Sequence, residues 1–150
     1  MEQTLVLLKP DAVQRRLMGQ IIARFERKGL CIAAMKLMTI HRDLAEQQYA
    51  VHRERPFYSS LVSFMTSGPV VAMVLQGHSA VDVCRKLMGQ TFGYQADPGT
   101  IRGDYGISNQ FNLVHGSDSL ESAKREIELF FGKDEILNYP LADDAWHAAE

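Results

Sequence analysis

Cysteine is scarce in this chain, with only Cys31 and Cys84. Both stand in apolar contexts, so no disulfide framework organises the fold, and the pair reads as reduced core thiols of a cytoplasmic protein. Long apolar runs are missing too. None approaches the ~18 residues that cross a bilayer, and no charged segment followed by a short apolar one opens the chain. The expectation is a protein neither exported nor membrane-spanning. Charge of one sign is also lacking: 16 Lys and Arg face 18 Asp and Glu, for a net charge of −2. No bulk positive field draws such a chain to a membrane or to nucleic acid as its main partner, so any anion site must be built from local basic residues. Internal repeats, low-complexity tracts and flexible linkers are absent, which excludes solenoids and tethered arrays. What is present is 46% hydrophobic and 23% charged over 150 residues. That is the balance of one globular domain spanning 1–150, long enough to bury roughly 70% of the unfolded chain's surface.

Periodicity divides the chain into alternating elements. Thr4 to Leu8 is a short apolar run, read as a buried strand that Pro10 stops. Leu17, Ile21 and Phe25 recur at helical spacing, and Gly29 after Arg27 and Lys28 marks a C-cap. Leu30 to Ile40 reads as a second strand. Asp43, with Glu46 three residues on, is expected to cap a helix containing Tyr49, and a short helix with Leu61, Val62, Phe64 and Met65 follows. Val70 to Leu75 is apolar throughout and therefore a central strand. Ser79 is expected to cap a helix carrying Arg85 and Lys86. Thr91 to Phe111 shows no clear periodicity, and long irregular loops in compact domains are usually functional. Asn112 to Val114 is the fourth strand, and Leu120 to Phe131 the last helix. The tail from about 132 to 150 is irregular, with Pro140 and Trp146 suggesting packing on the surface or on a neighbouring subunit. Strand and helix alternating four times fits an α+β, ferredoxin-like fold: four mainly antiparallel strands with helices on one face. A flavodoxin-like parallel sheet is the alternative, disfavoured because no glycine-rich turn follows the first strand.

The stretch Asn112-Leu113-Val114-His115-Gly116-Ser117-Asp118 organises the candidate chemistry. His115 is expected just past a buried strand, with Gly116 turning the chain and Ser117, Asp118 or Ser119 capping the next helix, Glu121 completing a capping box. A helix N-terminus there favours an anion. An imidazole beside an anion can carry phosphate; the alternative is a surface histidine in a polar turn. Lys9, at a strand end, is either a binding cation or a solvated lysine. Arg85 and Lys86 either serve a site or complement a helix dipole. Arg102, between glycines in Thr100-Ile101-Arg102-Gly103-Asp104, suits phosphate recognition or is an ordinary loop residue. Phe57 is either core or a stacking platform. Glu126 borders the buried face of its helix, where a carboxylate could hold one imidazole N–H and present the other nitrogen as nucleophile.

Lys9-Pro10-Asp11, Arg55-Pro56-Phe57, Ser67 to Val74, Pro98 to Asp104 and Asn112 to Ser119, in one register from Thr4 to about Tyr139, resemble the nucleoside diphosphate kinase family. Several long motifs in order are far more specific than a lone glycine pattern. The resemblance implies a ferredoxin-like subunit and a magnesium-dependent, ping-pong exchange of the γ-phosphate between nucleoside triphosphates, typically ATP, and diphosphates, which maintains triphosphate pools. It implies that His115 takes the phosphate on Nδ1, that Glu126 and Ser117 orient and support the ring, and that Tyr49 lies close to it. By the same resemblance Lys9 and Asn112 contact the ribose 3′-OH, with Lys9 also near the transferring phosphate. Arg85, Thr91 and Arg102 bind phosphate oxygens, and Phe57 stacks on the base with Leu61 nearby. No dense Asp/Glu cage appears in the motifs, so no protein metal ligand is expected and Mg2+ arrives on the nucleotide phosphates. A homo-oligomer is implied, a hexamer with a tetramer as the alternative.

Two departures stand out. Thr91-Phe92-Gly93 replaces the family's Thr-Asn-Pro, which is expected to loosen that loop. Phe111 stands where the family often has an arginine, with Gln110 before it, so local loop packing is expected to differ. Two other readings compete with the enzyme: a binding or regulatory module for nucleotide or single-stranded nucleic acid without turnover, and a phosphohistidine carrier serving another protein.

Overall fold

Two strands buried on both faces dictate the layout. β1 (Glu2–Leu8) and β3 (Val70–Gly77) lie side by side in the centre of a four-stranded sheet, and Thr4–Leu8 and Val70–Leu75 are buried without interruption. β2 (Cys31–Met38) flanks β3, and the short β4 (Val114–Gly116) flanks β1, so the order is β2-β3-β1-β4. Every neighbouring pair is antiparallel. This computed structural model describes residues 1–148.

Because side chains alternate along a strand, β1 sends Leu5 and Leu7 to one apolar cluster and Val6 and Leu8 to another. Both faces must therefore be covered, and the expectation of helices on a single face needs correcting. The crossover helices α2 (Met18–Arg27) and α5 (Ala80–Met88) pack on the Val6–Leu8 side through Ile21, Phe25, Cys84 and Met88. The other side is closed by α3 (Arg42–Gln48), α4 (Tyr58–Met65) and α7 (Leu120–Phe130), through Ala45, Val62, Met65, Ile127 and Phe130. Each large apolar side chain so buried contributes roughly 1.5–3 kcal/mol.

Several local expectations change. Pro10 does end β1, but it also opens a short helix, α1 (Pro10–Gln14), at the first helical position, where a missing N–H costs nothing. Lys9 before it stays extended, as a residue preceding proline must. Gly29 takes φ +98 after α2, the C-cap conformation its position suggests. Neither Asp43 nor Ser79 caps with its side chain: His41 precedes α3, and Ser79 precedes α5 in the left-handed region. The Thr91–Phe111 segment contains a helix, α6 (Ile101–Tyr105), capped by Thr100 Oγ1 accepting from Gly103 N–H. Its five residues are too few to show a period. The tail runs beside β2, where Leu137 N–H donates to Ala33 O at 2.8 Å and Tyr139 Oη to Ile32 O at 2.6 Å. Trp146 stands open to solvent.

Candidate active site

His115 lies within β4, opposite Leu7 of β1, and not beyond the strand. What bends the chain is the residue before the strand. Leu113 has φ +73, a left-handed conformation that a branched side chain adopts only under constraint. The constraint is visible. Lys9 N–H donates to Leu113 O at 2.8 Å, and Leu113 N–H donates to Asp11 Oδ2 at 3.1 Å. Arg102 straddles the same residue, donating from Nε to Asn112 O at 3.2 Å and from Nη2 to Val114 O at 2.7 Å. The motif around Lys9 and the one around Arg102 thus hold the approach to the histidine strand. Gly116 is not needed for a turn. It is a strand residue whose Cβ would fall 2.7 Å from Met88 Sδ, so its role is close packing against α5.

The His115 ring is partly exposed, and its Nε2–H donates to Glu126 Oε1 at 2.7 Å. Glu126 is buried on α7. Burial opposes its charge, but the His115 ring, by hydrogen bond and by charge, together with the Gln48 amide outweighs that cost and holds the carboxyl below its ordinary range. Among the described residues Nδ1 has no hydrogen-bond partner. Tyr49, also buried, meets the ring edge-on with centroids 6.1 Å apart. Burial, and then the Glu126 charge, pushes its phenol well above the usual value, so it stays neutral.

The ring opens into a cleft of about 1300 Å³ lined by Lys9, Tyr49, Phe57, Leu61, Arg85, Thr91, Arg102, Asn112, His115 and Glu126. Residues from α3, α4, α5, α6, β4, α7 and the loops between them meet there. Ser117 does not line it. Its hydroxyl sits behind, buried, against the Leu5 backbone, 3.3 Å from the Leu5 N–H. Lys9 is buried and donates from Nζ to Asn112 Oδ1 at 2.7 Å, which excludes the solvated alternative. Burial, then the Arg102 charge, lowers its ammonium to about 8, against a smaller opposing pull from Asp11. Asn112 also donates from Nδ2 to Thr91 O at 3.0 Å, so one amide ties the lysine to the loop. Arg102 is buried in α6 and held by a third carbonyl, Gly89 O, at 2.9 Å from Nη1. Burial and the neighbouring Arg85 lower it to about 10, and it remains charged at neutral pH. Phe57 is 49% exposed beside His52, which removes the core alternative.

The α7 N-terminus is not an open anion site. Ser119 Oγ accepts the Ser122 N–H at 3.0 Å, so Ser119 is the N-cap and Glu121 completes no capping box. Asp118 stands beside it, its carboxyl held below the ordinary range chiefly by a hydrogen bond with Ser122. The positive field of the cleft therefore comes from the lining side chains of Lys9, Arg85, Arg102 and Arg125. Among the described residues no group of three or more His, Cys, Asp and Glu side chains is placed to hold a metal.

The cleft thus combines a carboxylate-held imidazole with four lining cations. The model of the nucleoside diphosphate kinase family matches residues 2–136. The chain belongs to the nucleoside diphosphate kinase family. It is 57% identical over 146 residues to a nucleoside diphosphate kinase of Archaeoglobus fulgidus, covering 97% of each chain. It is 51% identical over 146 residues to the one of Bacillus cereus, covering 97% of this chain and 99% of that one. Among solved structures, the halophilic nucleoside diphosphate kinase of Halobacterium salinarum in complex with CDP superimposes with a TM-score of 0.96 at 48% identity, covering 99% of both chains. The apo enzyme of Encephalitozoon cuniculi gives 0.95 at 45%, covering 99% of this chain and all of that one.

The two departures from the family pattern have structural answers. Gly93 is buried, and a Cβ there would lie 2.5 Å from Gly106 O. The glycine thus permits a close backbone approach. Phe111 packs edge-on against Phe64 of α4, with centroids 5.0 Å apart. Gln48 was overlooked in the sequence. Its signal is a polar residue at helical spacing from Ala45, on the buried face of α3.

Proposed function

We propose that His115 carries the γ-phosphoryl group from a nucleoside triphosphate to a nucleoside diphosphate in two half-reactions at one site. The family reaction is this reversible transfer, and the chain is a phosphotransferase of that kind. One observation carries the assignment to His115: Glu126 occupies Nε2, which leaves Nδ1 with a lone pair in a cationic cleft.

In the first half-reaction Nδ1 attacks the γ-phosphorus, the bond to the β,γ-bridging oxygen breaks, and the diphosphate leaves with that electron pair. Positive charge develops on the ring as the N–P bond forms, and the Glu126 carboxylate stabilises it through Nε2–H. In the second half-reaction a terminal oxygen of the acceptor diphosphate attacks the same phosphorus and restores the imidazole. Splitting one transfer between two anions into two equivalent steps is the benefit of a covalent carrier. Lys9, Arg85 and Arg102 supply the charge that phosphoryl transfer needs. Arg102 spends three N–H groups on carbonyls and keeps two of its five for phosphate oxygens. Lys9 and Asn112 are assigned to the ribose 3′-OH, Thr91 and Arg85 to phosphate, and Ser117 to supporting Glu126 from behind. Tyr49 is assigned to packing against the ring. Phe57, with Leu61, offers a face to the base, and stacking is tolerant of base identity.

Magnesium fits this cleft as part of the nucleotide. Glu126 is taken by the histidine, which leaves Asp118 as a lining carboxylate, and a hard cation that keeps several waters and binds phosphate oxygens needs no protein cage. Bound so, it offsets phosphate charge. The reading is completed by one domain over 1–150, a cytoplasmic setting, and a homo-oligomer, hexameric before tetrameric. The exposed Met35 and Leu37 on edge strand β2, with Trp146 in the tail, support assembly; no helix is long and apolar enough to cross a membrane among the described residues.

The test is phosphoenzyme formation from ATP and magnesium with no acceptor, followed by discharge with GDP. His115→Ala should abolish labelling. Glu126→Gln should slow it by on the order of 10- to 100-fold, the worth of a hydrogen bond to a charged group. Full labelling of the alanine variant rejects the assignment.

A further inference from the structure

Gln48 is a buried polar side chain lining the cleft to which the reaction above gives no task. It closes α3, directly before Tyr49. Its Nε2 lies 2.5 Å from Glu126 Oε1 and 3.2 Å from His115 Nε2. The carboxylate decides which way the amide faces. Turned over, the amide would set its own oxygen against an anionic oxygen at that short distance with no proton between them. Nε2 therefore donates to Glu126 Oε1. The His115 Nε2–H donates to the same oxygen, at 2.7 Å. Two donors converge on one acceptor, and the contact between the two nitrogens is packing between donors, not a bond.

This arrangement constrains the ring in two ways. A carboxylate oxygen held from two directions cannot swing away and let the imidazole turn. An N–H beside Nε2, where an acceptor would otherwise compete, leaves Glu126 as the destination of the ring proton. We propose that Gln48 is a positioning residue for phosphoryl transfer: by donating to the Glu126 oxygen that takes the His115 Nε2 proton, it holds carboxylate and ring in the arrangement that leaves Nδ1 as nucleophile. The proposal rests on His115 being the phosphate carrier.

Gln48→Met keeps the side chain's length and removes the donor. Single-turnover phosphoenzyme formation should fall by about 10-fold or more, with the nucleotide Kd unchanged. Gln48→Glu supplies a readout that a purely structural role would not move. Two carboxylates then face each other, so the loss at neutral pH should be deeper. As pH falls and the pair takes up one proton, the protonated carboxyl becomes a donor and the rate should recover relative to wild type. The titratable groups facing position 48 are Glu126 of α7, His115 of β4 and the neighbouring Tyr49. All three are present in every variant, so the recovery belongs to the new carboxyl. A methionine variant within about two-fold of wild type, or a glutamate variant whose pH profile runs parallel to the methionine variant's, overturns the proposal. If the methionine variant proves unstable, the glutamate profile is set against the wild-type profile, and a rate that does not recover relative to wild type as pH falls overturns the proposal. A wild-type chain that takes no label on His115 overturns the carrier reading itself, whereas a labelled wild type with indifferent Gln48 variants overturns only the role of Gln48.

Discussion

Replacing Lys9 by methionine should make the protein more stable and less active, and the trade can be worked from the structure. Lys9 is buried, and its ammonium falls from 10.5 to about 8. That fall corresponds to a penalty on the order of 3 kcal/mol for keeping the charge in the fold at neutral pH. Against it stands the hydrogen bond to Asn112 Oδ1, worth roughly 1.5–3 kcal/mol when the donor is charged. Lys9→Met removes the penalty and the bond together, and leaves Asp11, whose carboxyl burial already raises, without a compensating neighbour. The net change at neutral pH should be small, between zero and about 2 kcal/mol of stabilisation.

The sharper signature lies in the pH dependence. Between about 8 and 10.5 the unfolded lysine binds a proton that the folded one has released, so the Lys9 contribution to stability rises with pH through that window. Cys84 works the other way. Burial raises its thiol from 9.0 to about 12, so its contribution falls above 9.0. The raw wild-type curve sums both, and the difference between wild type and Lys9→Met isolates the lysine. Urea unfolding at a series of pH values from 7 to 10.5 measures it, and the variant's advantage should shrink steadily across that range. Phosphoenzyme formation should meanwhile drop by at least about 100-fold in the variant, because a positioned cation is lost from the transferring phosphate. A variant clearly less stable than wild type at pH 7, or an advantage that does not change with pH, refutes the claim that Lys9 is held at a cost.

Other outcomes follow from single contacts. Arg102→Lys keeps the charge but cannot span the carbonyls of Gly89, Asn112 and Val114; thermal unfolding should show a loss of about 2–4 kcal/mol, and kcat/KM should fall as the strand carrying His115 loosens. Gly103→Ala would drive a methyl group into the Asp97 carbonyl; the melting temperature should drop by several degrees, and nucleotide binding should weaken because α6 carries Arg102. Phe57→Ala, at an exposed position, should leave stability unchanged and raise KM for all four bases by similar factors of roughly 5- to 100-fold, which initial-rate measurements with four diphosphates would check.

The strands were legible in the chain where burial was two-sided. Val70 to Leu75 is apolar at every position because both of its faces are covered. Shorter or polar elements were not legible. α6 is five residues long and holds a glycine, so its Arg102 read as a loop residue. β4 has three residues, and the bend before it falls on Leu113, which no propensity would select for a left-handed conformation. Gln48 escaped notice because its importance comes from a partner 78 positions away.

The order of the longer elements, the central strands and the run of motifs around His115 follow from the amino acids alone, because periodicity, turn chemistry and motif spacing are local properties. Which nitrogen of the ring stays free, that Lys9 is buried and that Arg102 clamps the bend before β4 were decided only by tertiary structure. Those facts depend on distances between segments far apart in the chain, and on the cost of desolvating a charge, which no local pattern records.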